Sequence, residues 1–245
     1  MLNDTIEWAE CAEEYDACRR RIDGLVRDAD EAMMATIVPT CPDWSVADLC
    51  AHLAGVPVAL VSGDLPSGDT DQWVDAQVTA RRKQPVAASL DEWEDATPAF
   101  QKMMVDAGGS IAGLILDAVA HEHDLRHALG APGARDSRGV VLSVGFTKML
   151  MDRDLRANES GAVVHFACDR GAWQAGGGGE PSISLDVSGR PDGAFELMRA
   201  LGSRRSLRQL QDLPWRGDWE AERDSIFHMA LPERDVDESP NRTTS

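Results

Sequence analysis

Apolar residues recur every three or four positions through much of the first 155 residues, and this spacing predicts amphipathic helices. The first helix is predicted over residues 3–28. Pro39 and Pro42 follow it and interrupt the helical pattern, because proline lacks a backbone donor and clashes with the preceding turn. A second helix is predicted to begin after Ser45, which is a favourable N-cap residue, and to carry residues 46–55.

Two further helices complete the predicted N-terminal half. Ser89 followed by Glu92 has the spacing of a capping box and predicts a helix that runs through Met104. Residues 109–130 have the strongest helical pattern, and Gly130 is placed to end that helix. Four main helices with short connections predict an antiparallel helical bundle.

The pattern changes after residue 155, where short β-branched or alternating stretches are separated by turn residues. Strands are predicted at 162–168, 172–176 and 182–189. Helical segments are predicted around 193–202, 205–213 and 218–230. The predicted fold class is therefore α plus α+β, with a helical bundle over 1–155, a small α+β domain over 156–235 and a disordered tail over 236–245.

Charge and composition narrow the functional classes. The chain has 24 Lys and Arg against 42 Asp and Glu, which gives a formal net charge of −18. This balance argues against general binding of nucleic acid or anionic membranes, because phosphate binding needs a basic surface. The acidic start lacks the features of a secretion signal, and the five cysteines contain no CxxC pair. We expect a cytoplasmic protein with reduced thiols and no membrane span.

The most informative residues for chemistry are His52, Asp117 and His121. Asp117 and His121 are four residues apart on one predicted helix, so both side chains project from the same face. His52 lies on the helix that begins after Ser45, and facing helices of a bundle can bring metal ligands together. Two imidazoles and one carboxylate leave a fourth tetrahedral position open, which is the donor set of a catalytic zinc site.

Other interpretations of these residues stay open from spacing alone. Asp117 and His121 also fit a hydrogen-bonded pair on a solvated face, and His52 also fits a satisfied histidine of the core. Glu122 falls in the apolar stripe of its helix, where an unpaired carboxylate is costly, so it is an alternative ligand or a partner of one. Asp124 lies on the side of Asp117 and His121 and is placed to orient an imidazole.

The neighbouring histidine and cysteine residues are predicted to be structural. His123 and His127 point to a different face of the same helix and lack an evident third ligand, so we predict a surface pair. Cys50 lies nearly opposite the candidate ligand on its helix, which disfavours a nucleophile–base pair. Cys11 and Cys18 are predicted to belong to the core.

Three segments together resemble a known family. CPDWSVADLCAHLAGV (41–56) resembles the segment that opens the metal-bearing helix in the mycothiol-dependent maleylpyruvate isomerase family, within the DinB-like bundle superfamily. LDAVAHEHDLRHALG (116–130) resembles the second metal segment of that family, in which an acidic residue precedes a histidine by four positions. FELMRALGSRRSLRQLQDLPWRGD (195–218) resembles the sterol-carrier-like C-terminal domain of many members. The order and spacing of the three segments match, so the resemblance covers nearly the whole chain.

The resemblance implies a zinc centre, or one for another divalent metal, formed by His52, Asp117 and His121. The acidic position is often Glu in the family, and Asp is shorter by one methylene. Family enzymes use the low-molecular-weight thiol mycothiol as cosubstrate, and a zinc cation favours its thiolate. Addition of the thiolate to a small electrophile then implies either cis–trans isomerisation of an activated alkene or S-conjugation.

An anionic substrate would need a cationic anchor, since the net charge of the chain is negative. Arg126, Arg199 and Arg204 are the candidate residues of the reaction site for this role, with Arg205 beside them. The alternative class is a non-catalytic protein that retains the fold and binds a small ligand or a regulatory partner. We expect a monomer or a homodimer whose partners are a small electrophile and a thiol.

Overall fold

The computed structural model describes residues 6–158 and 161–238, which form two compact units. One unit contains residues 7–133 and the other contains Ile6 and residues 134–237. The chain is thus a mixture of helix and sheet, as the sequence predicted. Among the described residues, no helix combines the length and the apolar character that a membrane crossing requires.

The N-terminal unit is helical apart from one small hairpin. Its elements are α1 (Trp8–Val26), α2 (Glu31–Met34), β1 (Ile37–Val38), β2 (Cys41–Ser45), α3 (Val46–Val61), α4 (Thr70–Arg81), α5 (Val86–Ala107), α6 (Gly109–Ala112) and α7 (Leu114–Ala128). The long helices α1, α3, α5 and α7 contact one another. Tyr15, Trp93 and Phe100 lie in the core between α1 and α5, where the indole Nε1–H donates to the Tyr15 hydroxyl at 3.0 Å.

The helix boundaries differ from the predicted ones in three places. The segment around Pro39 and Pro42 forms the antiparallel hairpin β1–β2 rather than a simple break. Helix α5 begins three residues before Ser89, which is buried within it, so the predicted capping box at Ser89 is wrong. The helix predicted over 109–130 is divided at Gly113 into α6 and α7, and Gly130 ends the second part with a positive φ of 60°.

The C-terminal unit contains a four-stranded sheet with helices. Its elements are α8 (Arg138–Ala157), β3 (Val163–Cys168), β4 (Gly171–Gly176), β5 (Ile183–Asp186), α9 (Gly193–Leu201), α10 (Leu207–Gln211), β6 (Trp215–Arg216) and α11 (Arg223–Ile226). The strand order is β4-β3-β5-β6, in which β3 and β5 are parallel and the other pairs are antiparallel. Helix α8 contacts β4 and α9, which explains why the structural division falls near residue 133, whereas the sequence predicted a boundary near 155.

The end of this unit also departs from the predicted pattern. The helix predicted over 218–230 is reduced to α11, because Trp219 stacks on Trp215 at 5.2 Å and packs against Phe227. Val236 falls in the tail predicted to be disordered, yet it is buried and its backbone exchanges two hydrogen bonds with the Gln209 side chain. That part of the prediction is wrong, and residues 239–245 lie outside the described residues.

Candidate metal centre

The helix that carries His52 begins at a complete capping box. The Ser45 side chain accepts a hydrogen bond from the backbone of Asp48 at 3.1 Å, and the Asp48 carboxylate accepts from the backbone of Ser45 at 3.1 Å. This start was predicted from the sequence and is confirmed. It fixes α3 seven residues before His52, which is two turns along the helix.

Helix α7 carries a stripe of polar side chains at spacings of four and three residues, formed by Asp117, His121 and Asp124. These spacings place the three side chains on one face of the helix. His121 and Asp124 are buried, with exposed fractions of 6% and 0%. The interpretation of Asp117 and His121 as a pair on a solvated face is therefore wrong.

The structure brings the three predicted ligands together across α3 and α7. His52 Nε2 lies 3.2 Å from Asp117 Oδ2, and His121 Nε2 lies 3.4 Å from Asp117 Oδ1. One donor atom from each side chain falls within 4.8 Å of the other two. About a third of the Asp117 side chain is exposed, so the centre has an open side, whereas both imidazoles are buried.

Strong electrostatic coupling joins these groups. Burial alone would raise the pKa of the Asp117 carboxyl, but the charges and hydrogen bonds of His52 and His121 hold it well below its ordinary value. Burial would lower the pKa of His121, but the charge of Asp117 and the hydrogen bonds that the imidazole donates to Asp117, Asp124 and Cys41 raise this pKa well above its usual value. The free protein thus holds negative charge on Asp117 where a cation would bind.

Two residues of β2 form the wall beside the imidazoles. The Trp44 ring centroid lies 5.1 Å from that of His52 and 6.4 Å from that of His121. Cys41 lies close to the ligand atoms of His121 and Asp124. Sequence reasoning assigned neither residue to the site. The only signal was their position in the segment that immediately precedes the Ser45 capping box.

A cavity of about 620 Å³ is lined in part by these two residues. Its lining includes Cys41 and Trp44 together with three acidic side chains and one arginine, which are Asp43, Asp71, Asp75 and Arg82. The arginine already donates to Asp48 at 2.8 Å. The charged side chains of the cavity wall are therefore mostly acidic.

Glu122 is neither a ligand nor a partner of one. Its carboxylate has no exposed surface and accepts hydrogen bonds from Arg21 at 2.9 Å and Arg126 at 2.9 Å. The Cys18 thiol donates to the same carboxylate at 3.2 Å. Glu122 therefore joins α7 to α1 through ion pairs, and Asp117 remains the acidic candidate ligand.

The histidine pair predicted to lie on the surface is only partly there. His123 is 3% exposed, so its assignment to the surface is wrong, whereas His127 is half-buried. The cause is that α7 is buried on every side from Ala118 to Leu125, so no face of this segment is left to solvent. Cys11, Cys18 and Cys50 lie in the core as predicted, and burial raises the pKa of Cys50 to about 12.

The candidate anchoring arginines lie in different surroundings. Arg126 belongs to the N-terminal unit and is held by Glu122 and by the carbonyl of Ala131. Arg199 is completely buried in the C-terminal unit. Arg204 is half-buried there and donates to the carbonyl of Gly202 at 3.2 Å.

The donor set fits a zinc ion. Tetrahedral zinc with bonds of about 2.0–2.1 Å places its donor atoms about 3.4 Å apart. The His52–Asp117 and His121–Asp117 separations of 3.2 and 3.4 Å are close to this value. His52 Nδ1 is buried and has no hydrogen-bond partner among the described residues, so His52 is not the fully satisfied core histidine considered above.

The fold and the site thus define a helical protein with a candidate divalent-metal centre and an attached α+β unit. Residues 15–108 match the family described as mycothiol maleylpyruvate isomerase N-terminal domain. The match supports the family that the sequence predicted, and it covers less than half of the chain. Comparisons with curated proteins and with solved structures found no match. The matched range contains His52 but ends before Asp117 and His121.

Proposed function

We propose that this protein is a zinc-dependent transferase or isomerase that joins the thiol mycothiol to a small electrophile. The observation that carries the proposal is the convergence of His52, Asp117 and His121 from two helices with donor separations suited to zinc. The family match supports mycothiol as the thiol. A non-catalytic binding protein would have no need of an open metal centre.

In this proposal, three residues bind the metal and one shields the site from water. His52, Asp117 and His121 would hold the metal, which when bound supplies a cation that favours the thiolate form of a thiol. The exposed part of Asp117 marks the side from which small molecules reach the centre. Trp44 covers the two imidazoles and keeps water from that side.

The reaction class follows from the nucleophile. A thiolate sulfur forms a bond to an electrophilic carbon of the second substrate. With an activated cis alkene, the π electrons move to the activating group as the C–S bond forms, the former double bond rotates as a single bond, and expulsion of the thiolate restores the double bond in the trans isomer. With a leaving group, the bond to that group breaks and the S-conjugate remains.

Charge favours a neutral electrophile over a dicarboxylate. Asp43, Asp71 and Asp75 line the cavity beside Trp44, and the chain carries a net charge of −18. Arg126 is neutralised by Glu122, and Arg199 is completely buried. Arg204 belongs to the C-terminal unit, and its role as an anchor for an anionic substrate stays a prediction.

The proposal also covers the fold of each unit, the location of the protein, its oligomeric state and its partners. We assign the N-terminal unit to the DinB-like bundles and the C-terminal unit to the sterol-carrier-like folds, and we place the protein in the cytoplasm as a monomer or homodimer. The net negative charge supports the absence of nucleic acid among its partners. An experimental structure and light scattering test the fold assignment and the oligomeric state.

Metal content is the first test. Plasma mass spectrometry should find about one zinc per chain in the purified protein after zinc is supplied, and none in the His52→Ala variant, which loses one of three donors. His165→Ala is the control, because this half-buried histidine lies on β3 in the other unit and should leave zinc content unchanged. Folded wild-type protein without zinc would contradict the proposal and leave the ligand-binding alternative.

Turnover is the second step of that test. With mycothiol, the zinc-loaded protein should convert neutral electrophiles such as a maleamide to the trans isomer or the S-conjugate, and the matched dicarboxylate maleate more slowly. Asp117→Ala protein, which lacks the central carboxylate, should show neither reaction. Equal conversion of the electrophile with and without the zinc-loaded protein would contradict the proposed chemistry.

A further inference from the structure

We propose that Asp124 is a positioning residue that holds the His121 ring so that Nε2, and not Nδ1, is the metal donor. This inference rests on the proposed zinc centre and specifies how it is supported. Asp124 is not one of the three side chains, His52, Asp117 and His121, that form the candidate centre, and it lies beside His121. Its effect on the metal therefore passes through His121.

Both nitrogens of His121 have defined directions. The Nδ1–H group donates to Asp124 Oδ2 at 2.9 Å, while Nε2 lies 3.4 Å from Asp117 Oδ1. A hydrogen bond at Nδ1 fixes the tautomer and the ring angle, and a carboxylate acceptor makes the opposite nitrogen a better donor. His121 is thus prepared for coordination through one atom.

The burial of Asp124 supports a dedicated role. Its side chain has no exposed surface, and a buried carboxylate is costly unless it is paired. One of its partners is His121, a candidate metal ligand one helical turn before it on α7. A buried carboxylate beside a metal-binding histidine is expected where the orientation of that histidine matters for coordination.

The two imidazoles are supported in different ways. His52 Nδ1 has no hydrogen-bond partner in the part of the chain that the structure describes, and its ring faces Trp44 at an interplanar angle of 37°. His121 has the carboxylate of Asp124 instead. Removal of Asp124 should therefore alter one ligand and leave the other in place.

Cys41 belongs to the support and not to the ligand set. Its sulfur lies near His121 and Asp124, so these three side chains form a second possible metal cluster. A metal there would have to replace the hydrogen bond between His121 Nδ1 and Asp124. We therefore infer that Cys41 stays unligated when zinc occupies the centre.

Zinc affinity tests the inference directly. We would measure zinc dissociation constants by competition with a chelator for the wild type, Asp124→Ala and Asp124→Asn. Asp124→Ala should weaken binding about 10- to 100-fold, as loss of an outer partner of a metal-bound histidine typically does. Asp124→Asn keeps an acceptor oxygen and should lose less. The control Asp154→Asn alters the His228–Asp154 pair at 3.0 Å in the other unit and should leave the affinity unchanged.

Spectra distinguish positioning from general destabilisation. Cobalt substituted for zinc should give a ligand-field spectrum that changes in Asp124→Ala and is preserved in Asp154→Asn. Nitrogen NMR of the zinc-loaded wild type should show a protonated, slowly exchanging Nδ1 at His121 that is lost in Asp124→Ala. Cys41→Ser should keep the wild-type cobalt spectrum, with no sulfur-to-cobalt charge-transfer band in either protein.

The outcomes separate this inference from the proposed function. Wild-type protein that binds no zinc would overturn both. Zinc binding by the wild type, with affinity and cobalt spectrum unchanged in folded Asp124→Ala, would overturn the inference alone. Circular dichroism of the metal-free proteins checks folding, and if Asp124→Ala does not fold, an unchanged affinity in Asp124→Asn overturns the inference in its place.

Discussion

Glu122 and His121 are neighbours on α7 with opposite roles. His121 faces the candidate metal centre, while Glu122 is directed to α1, where Arg21 donates to it. Arg126 donates from one turn further along α7. A carboxylate with no exposed surface that accepts from two guanidinium groups is stable because each charge is compensated. The ion pairs fix the rotation of α7 about its axis and so the direction of the metal-facing stripe.

Glu122→Gln should therefore destabilise the protein strongly. Removal of the charge leaves Arg126 without Glu122 as counterion and leaves Arg21 paired with Glu14, and breaking a buried pair in this way costs about 3 kcal/mol or more. Urea unfolding of the metal-free protein should show a lowered midpoint. Glu94→Gln is the control, because Glu94 is exposed on α5 and should shift the midpoint little. Equal midpoints for the two variants would contradict this account of Glu122.

The sequence predicted the candidate ligands, but it did not predict the ion pairs that hold their helix in place. The spacing of Asp117 and His121, together with the family resemblance, predicted the convergence with His52. The role of Glu122 was left open, since Arg21 is 101 residues away in the chain and helical periodicity carries no information about such a partner. Local spacing describes one helix at a time, whereas ion pairs between helices depend on packing.

At the scale of elements, two similar sequence signals had different outcomes. Ser45 with Asp48 forms the predicted capping box of α3, whereas Ser89 with Glu92 lies inside α5. In the second case Pro85 is the N-cap, and the Gln84 amide donates to both Ser89 and Glu92. The motif marks a helix start only where the preceding residues do not extend the helix.

The capping box of α3 should make stability depend on pH. Burial raises the pKa of Asp48, but hydrogen bonds from Arg82 and Ser45 outweigh it and lower this pKa below its ordinary value. A carboxyl whose pKa is lowered by folding stabilises the protein above the unfolded-state value of about 3.9 and loses this contribution as pH falls through the folded-state value. Asp48→Asn should therefore lower the free energy of unfolding by about 1 kcal/mol or less at pH 7.

The difference between wild type and Asp48→Asn should shrink as pH is lowered below about 3.9. Thermal unfolding of the metal-free protein between pH 7 and pH 3 measures it. Asp95→Asn, at an exposed position of α5, gives the background for a general loss of negative charge. A difference that is constant over this pH range would show that Asp48 acts through its shape and not its charge.

At the scale of the whole molecule, the three candidate ligands all belong to the N-terminal unit. The sequence located the change from helices to strands near residue 155, but α8 packs on the sheet and belongs with the C-terminal unit. The spacing of apolar residues identifies α8 as a helix, but it does not reveal which of the two units the apolar face packs against. The predicted boundary therefore followed the type of element, whereas the compact units follow packing.

Zinc should protect one unit and not the other. A ligand that binds only the folded state stabilises the region that holds it, and the gain grows with the ratio of its concentration to its dissociation constant. Hydrogen exchange should slow in α3 and α7 when zinc is added, with little change in β3 and β5. The His52→Ala protein should show no zinc effect. Equal protection of the strands would show that the stabilisation spreads through the whole chain.

The position of His52 inside the family match, with Asp117 and His121 beyond it, has a consequence for classifying related sequences. A match over residues 15–108 carries no information about the residues on α7, so it bears on at most one of the three candidate ligands. Positions 117, 121 and 124 then act as a short diagnostic signature. Relatives that keep His52 and this signature are candidates for shared metal chemistry, and relatives that keep only the matched domain share an architecture.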